Sequence, residues 1–310
     1  MIEVQDLTHY YGGRRAIEGL SFKIAENEIV GFLGLNGAGK STTLKILAGL
    51  IVPTAGSVKI DGLDVVTANH EFRGRIGYLP EDPPLYKDMS VSGFVRFCGQ
   101  LKGMSTADVD SRLPSVLETT QLTLVRDRTI SELSHGYRKR VGIAQAIIHN
   151  PRLVILDEPI SGLDPRQIVE MRKVVRALGR DRTVLISSHI LSEISETCDR
   201  MLVLAGGVIA AQGTEAEISR LGTERAVRLD LLLSGDNKAI EAALRPFVGA
   251  EPVRIVADGA YWKVEVNLGS DTREALVAAL VGAGIGVRRL VEDAGELEQV
   301  FLGLTREVVS

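Results

Sequence analysis

The chain has 310 residues, a length typical of two domains, and 45% of them are hydrophobic, which is enough for sizeable cores. The formal net charge of −4 and the lack of a large basic tract argue against a nucleic-acid scaffold, so we expect no nucleic-acid partner. Two cysteines, Cys98 and Cys198, cannot form a disulfide framework and lack metal-ligand spacing, and no apolar stretch or leader indicates membrane insertion or secretion.

The N-terminal part of the chain is predicted to be rich in strands. Residues 1–40 and 57–62 have the alternation and turn residues of β-structure. We expect them to form a mixed sheet that leads into and out of a phosphate loop.

The phosphate loop itself covers residues 34–42, GLNGAGKST, which fit the pattern G-x-x-x-x-G-K-[S/T]. A buried strand is predicted over residues 28–33 and a helix over residues 42–50, which is the context that this loop requires. Glycines let backbone N–H groups converge on one anion, so the loop is expected to bind a nucleoside triphosphate. Lys40 would supply charge to the β- and γ-phosphates, and the Ser41 hydroxyl would ligate Mg²⁺. The loop residues predicted to bind nucleotide are Asn36, Gly37, Ala38, Gly39, Lys40, Ser41 and Thr42. The simpler alternative is a glycine-rich turn that binds nothing.

Further along, residues from about 84 to 137 are predicted to be mostly helical, and a short apolar strand follows at residues 153–156. The strand ends at Asp157 and Glu158. Ligands of α/β sheets bind at the carboxyl ends of the strands, so both acids are expected to face the nucleotide. We assign Asp157 to Mg²⁺, through water, and Glu158 to the attacking water.

The segment 133–140, LSHGYRKR, precedes these acids and resembles the LSGGQ signature of ATP-binding cassette (ABC) ATPases. Other family features follow the same order. Tyr11 resembles the aromatic residue that stacks on adenine, Glu81 stands at the Q-loop, residues 161–164 (SGLD) resemble the D-loop, and His189 resembles the switch histidine. The resemblance covers about the first 215 residues and implies catalytic roles for Glu158 and His189.

Two motifs depart from the wider family. Glu81 stands where Gln is usual, but a carboxylate can also ligate Mg²⁺. His135 and Tyr137 replace a Gly and a Gln of the signature, whereas Ser134 and Gly136 are retained and are expected to contact nucleotide. Both departures are similar to a bacterial branch of exporters linked to drug efflux and gliding motility.

The resemblance implies an α/β P-loop NTPase fold of ABC type and an ATPase with ATP and Mg²⁺ as cofactors. Two such domains, expected to be a homodimer, would hold ATP between the phosphate loop of one and Ser134 and Gly136 of the other. The chain is thus expected to power export through a separate integral-membrane permease. Its expected location is cytoplasmic, peripheral at the inner face of the cell membrane.

The ATPase domain is predicted over residues 1–222, with its helical subdomain at about 84–140, and an accessory domain over 223–310. The accessory pattern βαββαβ suggests a small ferredoxin-like α+β fold, with a hairpin across Asp258 and Gly259 and a closing helix at residues 296–304. No catalytic constellation is visible there, and Tyr261 and Trp262 are expected to be packing residues.

Two other functions stay open at this point. One is a non-transport ABC protein of DNA repair or translation, although neither a long coiled-coil insertion nor a second cassette is visible. The other is a regulatory nucleotide sensor, which the intact Lys40, Asp157, Glu158 and His189 oppose.

Overall fold

A computed structural model of the chain describes residues 2–223, 227–248, 253–268 and 272–292. The chain divides into two compact units, and the division falls between Thr214 and Glu215. The boundary predicted from the sequence, after Gly222, falls near the end of a helix that begins at Glu215.

The first unit is an α/β assembly of strands and helices that alternate over most of its length. In chain order its elements are β1 (Ile2–Tyr11), β2 (Arg14–Ile24), β3 (Ile29–Leu33), α1 (Lys40–Leu47), β4 (Ala55–Ile60), β5 (Leu63–Asp64), α2 (Asn69–Gly74), β6 (Ile76–Leu79), α3 (Val91–Leu101), α4 (Thr106–Thr119), α5 (His135–Ile147), β7 (Leu153–Leu156), α6 (Pro165–Leu178), β8 (Thr183–Ser188), α7 (Leu191–Ser195), β9 (Arg200–Ala205) and β10 (Val208–Gly213). Short 3₁₀ turns, Thr123–Val125 and Ile130–Glu132, connect α4 to α5.

The strands of this unit form two sheets. The strands in residues 1–40 and 57–62 do not share the mixed sheet expected for them, since β3 belongs to the second sheet. An antiparallel sheet has the order β2-β1-β4-β5, and a second sheet has the order β10-β9-β3-β8-β7-β6 with parallel neighbours from β9 to β6. Burial explains the division. Strand β2 alternates between buried and exposed residues over most of its length, so it covers a core with one face, whereas β3, β7 and β8 are buried throughout.

The main core lies between these two sheets. Phe22 of the antiparallel sheet meets Phe32 of the parallel sheet edge to face, with ring centroids 5.5 Å apart, and both rings are buried. Apolar residues of β1, β2 and β4 pack against α1 and the inner face of the parallel sheet in one continuous cluster.

The strand order positions the functional site. Parallel strands β3, β8 and β7 are neighbours, so their carboxyl ends lie side by side at one edge of the sheet. The phosphate loop follows β3, Asp157 and Glu158 follow β7, and His189 follows β8. Segments that are far apart in sequence therefore meet at this edge.

The predicted helical region between the Q-loop and the signature segment contains α3 and α4 and is followed by α5. Ser90 caps α3 and Ser105 caps α4, each hydroxyl accepting a hydrogen bond from a backbone N–H three residues on. Helix α5 is buried along most of its length and packs against β6 and β7.

The second unit begins with α8 (Glu215–Thr223). It continues with β11 (Val227–Ser234), α9 (Asn237–Val248), β12 (Arg254–Asp258), β13 (Tyr261–Leu268), α10 (Arg273–Gly282) and β14 (Gly286–Glu292). The antiparallel sheet order β12-β13-β11-β14 is that of a ferredoxin-like fold, with β12 and β13 joined by a tight turn at Gly259. Trp262 is half-buried against the core of this unit, and its indole N–H donates to the carbonyl of Gly235.

The predicted closing helix at residues 296–304 lies outside the described residues. In the part of the chain that the structure describes, every helix is too short or too polar to traverse a bilayer.

Candidate functional site

A cleft of about 550 Å³ opens at the carboxyl edge of the parallel sheet, within the first unit. Its lining includes most of the site residues that the sequence predicts. The residues around it are Tyr11, Arg14, Arg15, Ala16, Asn36, Gly37, Gly39, Lys40, Ser41, Thr42, Glu81, Glu158, Ser161 and His189.

The phosphate loop wraps the start of α1. Gly39 has a φ of 105°, and a Cβ there would lie 2.5 Å from the Ile17 side chain and 2.9 Å from the Ala16 carbonyl oxygen, so the position requires glycine. The ammonium of Lys40 donates to the carbonyl of Gly34 at 2.7 Å and is buried. The N-terminus of α1 thus opens into the cleft beside a fixed positive charge, as an anion site requires. Ala38 is buried within the loop and does not line the cleft.

Asp157 follows β7 and is buried, and it does not itself line the cleft. Its carboxylate accepts a hydrogen bond from the Ser187 hydroxyl at 2.6 Å, and the Ser41 hydroxyl is 3.4 Å from the same oxygen. Glu81 follows β6 and lines the same cleft. Hydroxyl and carboxylate oxygens are the ligands that Mg²⁺ prefers, so this donor set fits that ion.

Glu158 is the central acid of the cleft. One carboxylate oxygen lies 3.6 Å from the Lys40 ammonium, and the other lies 3.1 Å from Nδ1 of His189. The carboxylate is almost fully buried, whereas the His189 ring is 40% exposed toward the cleft. The Glu158 carboxylate thus has an ammonium beside one oxygen and an imidazole beside the other. A carboxylate in this position can accept a proton from a bound water.

The loop after β8 is braced by a buried acid that the sequence analysis did not single out. The Ser188 hydroxyl donates to Glu193 at 2.5 Å and accepts from the backbone N–H of Ile190 at 3.0 Å. Burial raises the pKa of Glu193, while the Ser188 hydrogen bond acts in the opposite direction. These bonds fix the backbone on both sides of His189.

Tyr11 lines the same cleft as Glu158. Its ring is half-exposed and meets His9 edge to face, with ring centroids 4.6 Å apart. Tyr10, on the neighbouring position of β1, does not line the cleft. A ring held in this way offers a free face for stacking on a base.

The signature residues stand elsewhere. Ser134 caps α5, with its hydroxyl accepting from the backbone N–H of Tyr137 at 3.5 Å, and Gly136 is buried in the first turn of α5. Neither residue lines the cleft of its own chain. The structure therefore brings the loop, the acids and His189 together but leaves Ser134 and Gly136 outside the cleft.

Sequence reasoning missed several residues of the site. Arg14, Arg15 and Ala16 line the cleft beside Tyr11, but a short polar stretch next to a turn carries no specific signal. Ser187 bonds Asp157 and also accepts the backbone N–H of Glu158 at 2.9 Å. A polar residue inside a fully buried apolar strand was the available signal for Ser187.

Comparison with known proteins agrees with the motif resemblance. A family model described as ABC transporter matches residues 17–161. The chain is 31% identical to YxlF of Bacillus subtilis (strain 168), an uncharacterized ABC transporter ATP-binding protein, over 97% of this chain and 98% of that protein. It is 32% identical to the Nod factor export ATP-binding protein I of Rhizobium meliloti (strain 1021), over 98% of this chain and 88% of that protein.

Solved structures share the fold. The dimeric structure of MJ0796, a bacterial ABC transporter cassette, is 26% identical and matches 69% of this chain and 98% of that chain, with a TM-score of 0.62. The predictions of the family, of the P-loop NTPase fold and of an ATP-binding function are confirmed. The chain belongs to the family of ABC transporter ATP-binding proteins, and it is an ATPase of the cassette type.

Proposed function

We propose that this ATPase powers export through a separate membrane permease, and that Glu158 is the carboxylate that activates the attacking water. One observation carries the catalytic assignment. The Glu158 carboxylate lies 3.6 Å from the Lys40 ammonium and 3.1 Å from His189 Nδ1. The acid would therefore lie beside the γ-phosphate of a bound triphosphate.

The rest of the cleft supports a defined orientation for ATP. Lys40 and the N–H groups of the phosphate loop would hold the β- and γ-phosphates, and the exposed face of Tyr11 would stack on adenine. Ser41, Asp157 and Glu81 would hold Mg²⁺, which supplies positive charge to the phosphate oxygens when bound. His189, with Nδ1 protonated, would donate to Glu158 and keep its carboxylate in place.

The functional unit is proposed to be a head-to-tail pair of cassettes. Ser134 and Gly136 do not line the cleft of their own chain, yet they occupy the N-terminal turn of α5, where backbone N–H groups can meet an anion. A second copy would bring its own α5 to the nucleotide, and the two-fold repetition of this contact closes on itself. The cassette structure of MJ0796, which is described as dimeric, supports this pairing.

Export is the proposed direction of transport. The Rhizobium relative is named for Nod factor export and matches nearly the whole of this chain, including the second unit. The permease partner, and with it a position at the inner face of the cell membrane, are inferred from this likeness. Capture of the tagged chain from native membranes should yield a multi-spanning protein of the host, and recovery of the chain without one would contradict the proposal.

The pairing is tested with the full-length Glu158→Gln variant, in which slow hydrolysis should let ATP-bound dimers accumulate. Sedimentation velocity with and without ATP should report dimer only with ATP. Adding Ser134→Arg, which places a long cation at the contact, should abolish the dimer and leave ATP binding by the monomer intact. Ser131→Arg, on an exposed turn just before the signature segment, is the matched control and should still dimerise. A dimer that survives Ser134→Arg would reject the head-to-tail arrangement.

A further inference from the structure

We propose that Lys139 is a positioning residue for hydrolysis, whose ammonium holds the backbone of Glu158 and of Glu81 and so connects the signature helix to the water-activating carboxylate. The inference rests on the proposed role of Glu158. It concerns a side chain that does not line the nucleotide cleft.

The geometry at Lys139 is unusual for a lysine. The side chain projects from α5 into the interior, and the residue is only 2% exposed. Its ammonium donates to the carbonyl of Glu81 at 2.6 Å and to the carbonyl of Glu158 at 3.1 Å. One buried cation therefore joins the segments that follow β6 and β7 to the helix that begins at the signature.

Glu158 needs such support because its backbone is strained. Its φ is 48°, in the left-handed region that residues with a Cβ rarely adopt. Such a conformation persists only where the surroundings determine it. Here the Ser187 hydroxyl accepts the N–H of Glu158, and Lys139 donates to its carbonyl. With both backbone groups held, the carboxylate is directed to Lys40 and His189.

Charge explains why a lysine can be buried at this position. Burial lowers the pKa of Lys139, and the negative charges of Glu81, Asp82, Glu158 and Asp157 act in the opposite direction. The ammonium thus has acidic neighbours as well as two carbonyl partners, as a buried charge requires.

The position of Lys139 on α5 gives the contact a functional consequence. Gly136 and Lys139 lie about one turn apart on the same rigid helix, so a displacement of the signature end must move the ammonium as well. Contact of a second cassette with Ser134 and Gly136 would therefore shift the backbone of Glu158 through Lys139. The rate of hydrolysis would then depend on the position of α5.

The test is steady-state ATP hydrolysis by the full-length Lys139→Met variant, which keeps the apolar stem but removes the donor and the charge. A misplaced carboxylate should lower kcat about 10- to 100-fold, with the ATP KM changed less than about threefold because Lys139 does not line the cleft. Arg140→Met is the matched control, since Arg140 is another buried cation of α5 but bonds Gln121 and Glu170 instead. An unchanged kcat for Lys139→Met, or an equal fall for Arg140→Met, would overturn the proposal.

A double variant separates a positioning role from a merely structural one. If Lys139 acts through Glu158, Lys139→Met should not reduce the residual hydrolysis of Glu158→Gln any further. If the double variant loses as much activity as the product of the two single losses, the proposal is overturned. Should Lys139→Met fail to fold, Lys139→Gln keeps an N–H donor of shorter reach and should lower kcat while retaining the ATP KM, and an unchanged kcat would overturn it.

Failure of this inference can be told apart from failure of the proposed function. If Glu158→Gln turns over ATP normally, the role of Glu158 is wrong and the inference falls with it. If Glu158→Gln is inactive but Lys139→Met is fully active, only the positioning role of Lys139 is rejected.

Discussion

Glu158 is proposed to activate the attacking water through its carboxylate, which has Lys40 and His189 as neighbours. Glu158→Gln keeps the shape of the side chain but removes its basicity, so hydrolysis should fall by about 100-fold or more. ATP binding should remain, since the loop that holds the phosphates is unchanged. Hydrolysis rates and equilibrium nucleotide titration of the same preparation measure both effects. Near-normal turnover would point instead to His189 or to a proton acceptor on the substrate.

Tyr11 and Lys40 are proposed to hold opposite ends of one nucleotide. Tyr11→Ala should weaken ATP binding by about 1–3 kcal/mol, the range for an aromatic side chain that stacks on a base, while Tyr11→Phe should be mild. Lys40→Ala should abolish most binding because it removes the only lysine of the loop at residues 34–42.

Fluorescence titration with a nucleotide analogue measures these affinities. Tyr10→Ala is the matched control, since Tyr10 is also exposed on β1 but does not line the cleft. An affinity that depends on Tyr10 and not on Tyr11 would move the stacking role to the neighbouring residue.

At the scale of elements, α6 begins in the D-loop segment and depends on its cap. The Asp164 carboxylate accepts the N–H groups of Arg166 and Gln167, both at 3.0 Å, and Pro165 occupies the first turn. Asp164→Ala should lower the free energy of unfolding by about 0.5–2 kcal/mol, and Asp164→Asn should retain most of it. Urea denaturation of the two variants checks this. Equal losses in both would mean that charge, rather than capping, stabilises the helix start.

Some features of the helices and strands could be predicted from local sequence patterns, and others could not. The βαββαβ order of the second unit follows from alternating strands, helical spacing and a glycine turn, and the sheet has the order expected for it. The assignment of β1, β2 and β4 to a separate sheet was missed, because alternation indicates a half-buried strand without saying which strands it pairs with.

At the scale of the whole molecule, every residue that lines the nucleotide cleft belongs to the first unit. A chain that ends after Gly222 should therefore fold and bind ATP with nearly the affinity of the full chain. We propose that the second unit regulates or stabilises the cassette pair, so dimerisation or coupling to the permease should change. Nucleotide titration and sedimentation of the truncated, folded protein measure the two properties. Complete loss of ATP binding would make the second unit part of the site.

The family, the phosphate loop and the paired acids could be predicted from the sequence, because each motif is a short contiguous pattern whose chemistry is local. It also placed Tyr11, Glu81 and His189 in order along the chain. Two contacts could be seen only in the folded chain: Ser187 joins Asp157 to the backbone of Glu158, and Lys139 is buried against that same backbone. These contacts join residues on different strands and helices. Their meeting depends on β8 lying beside β7 and on how α5 packs, which no local periodicity encodes.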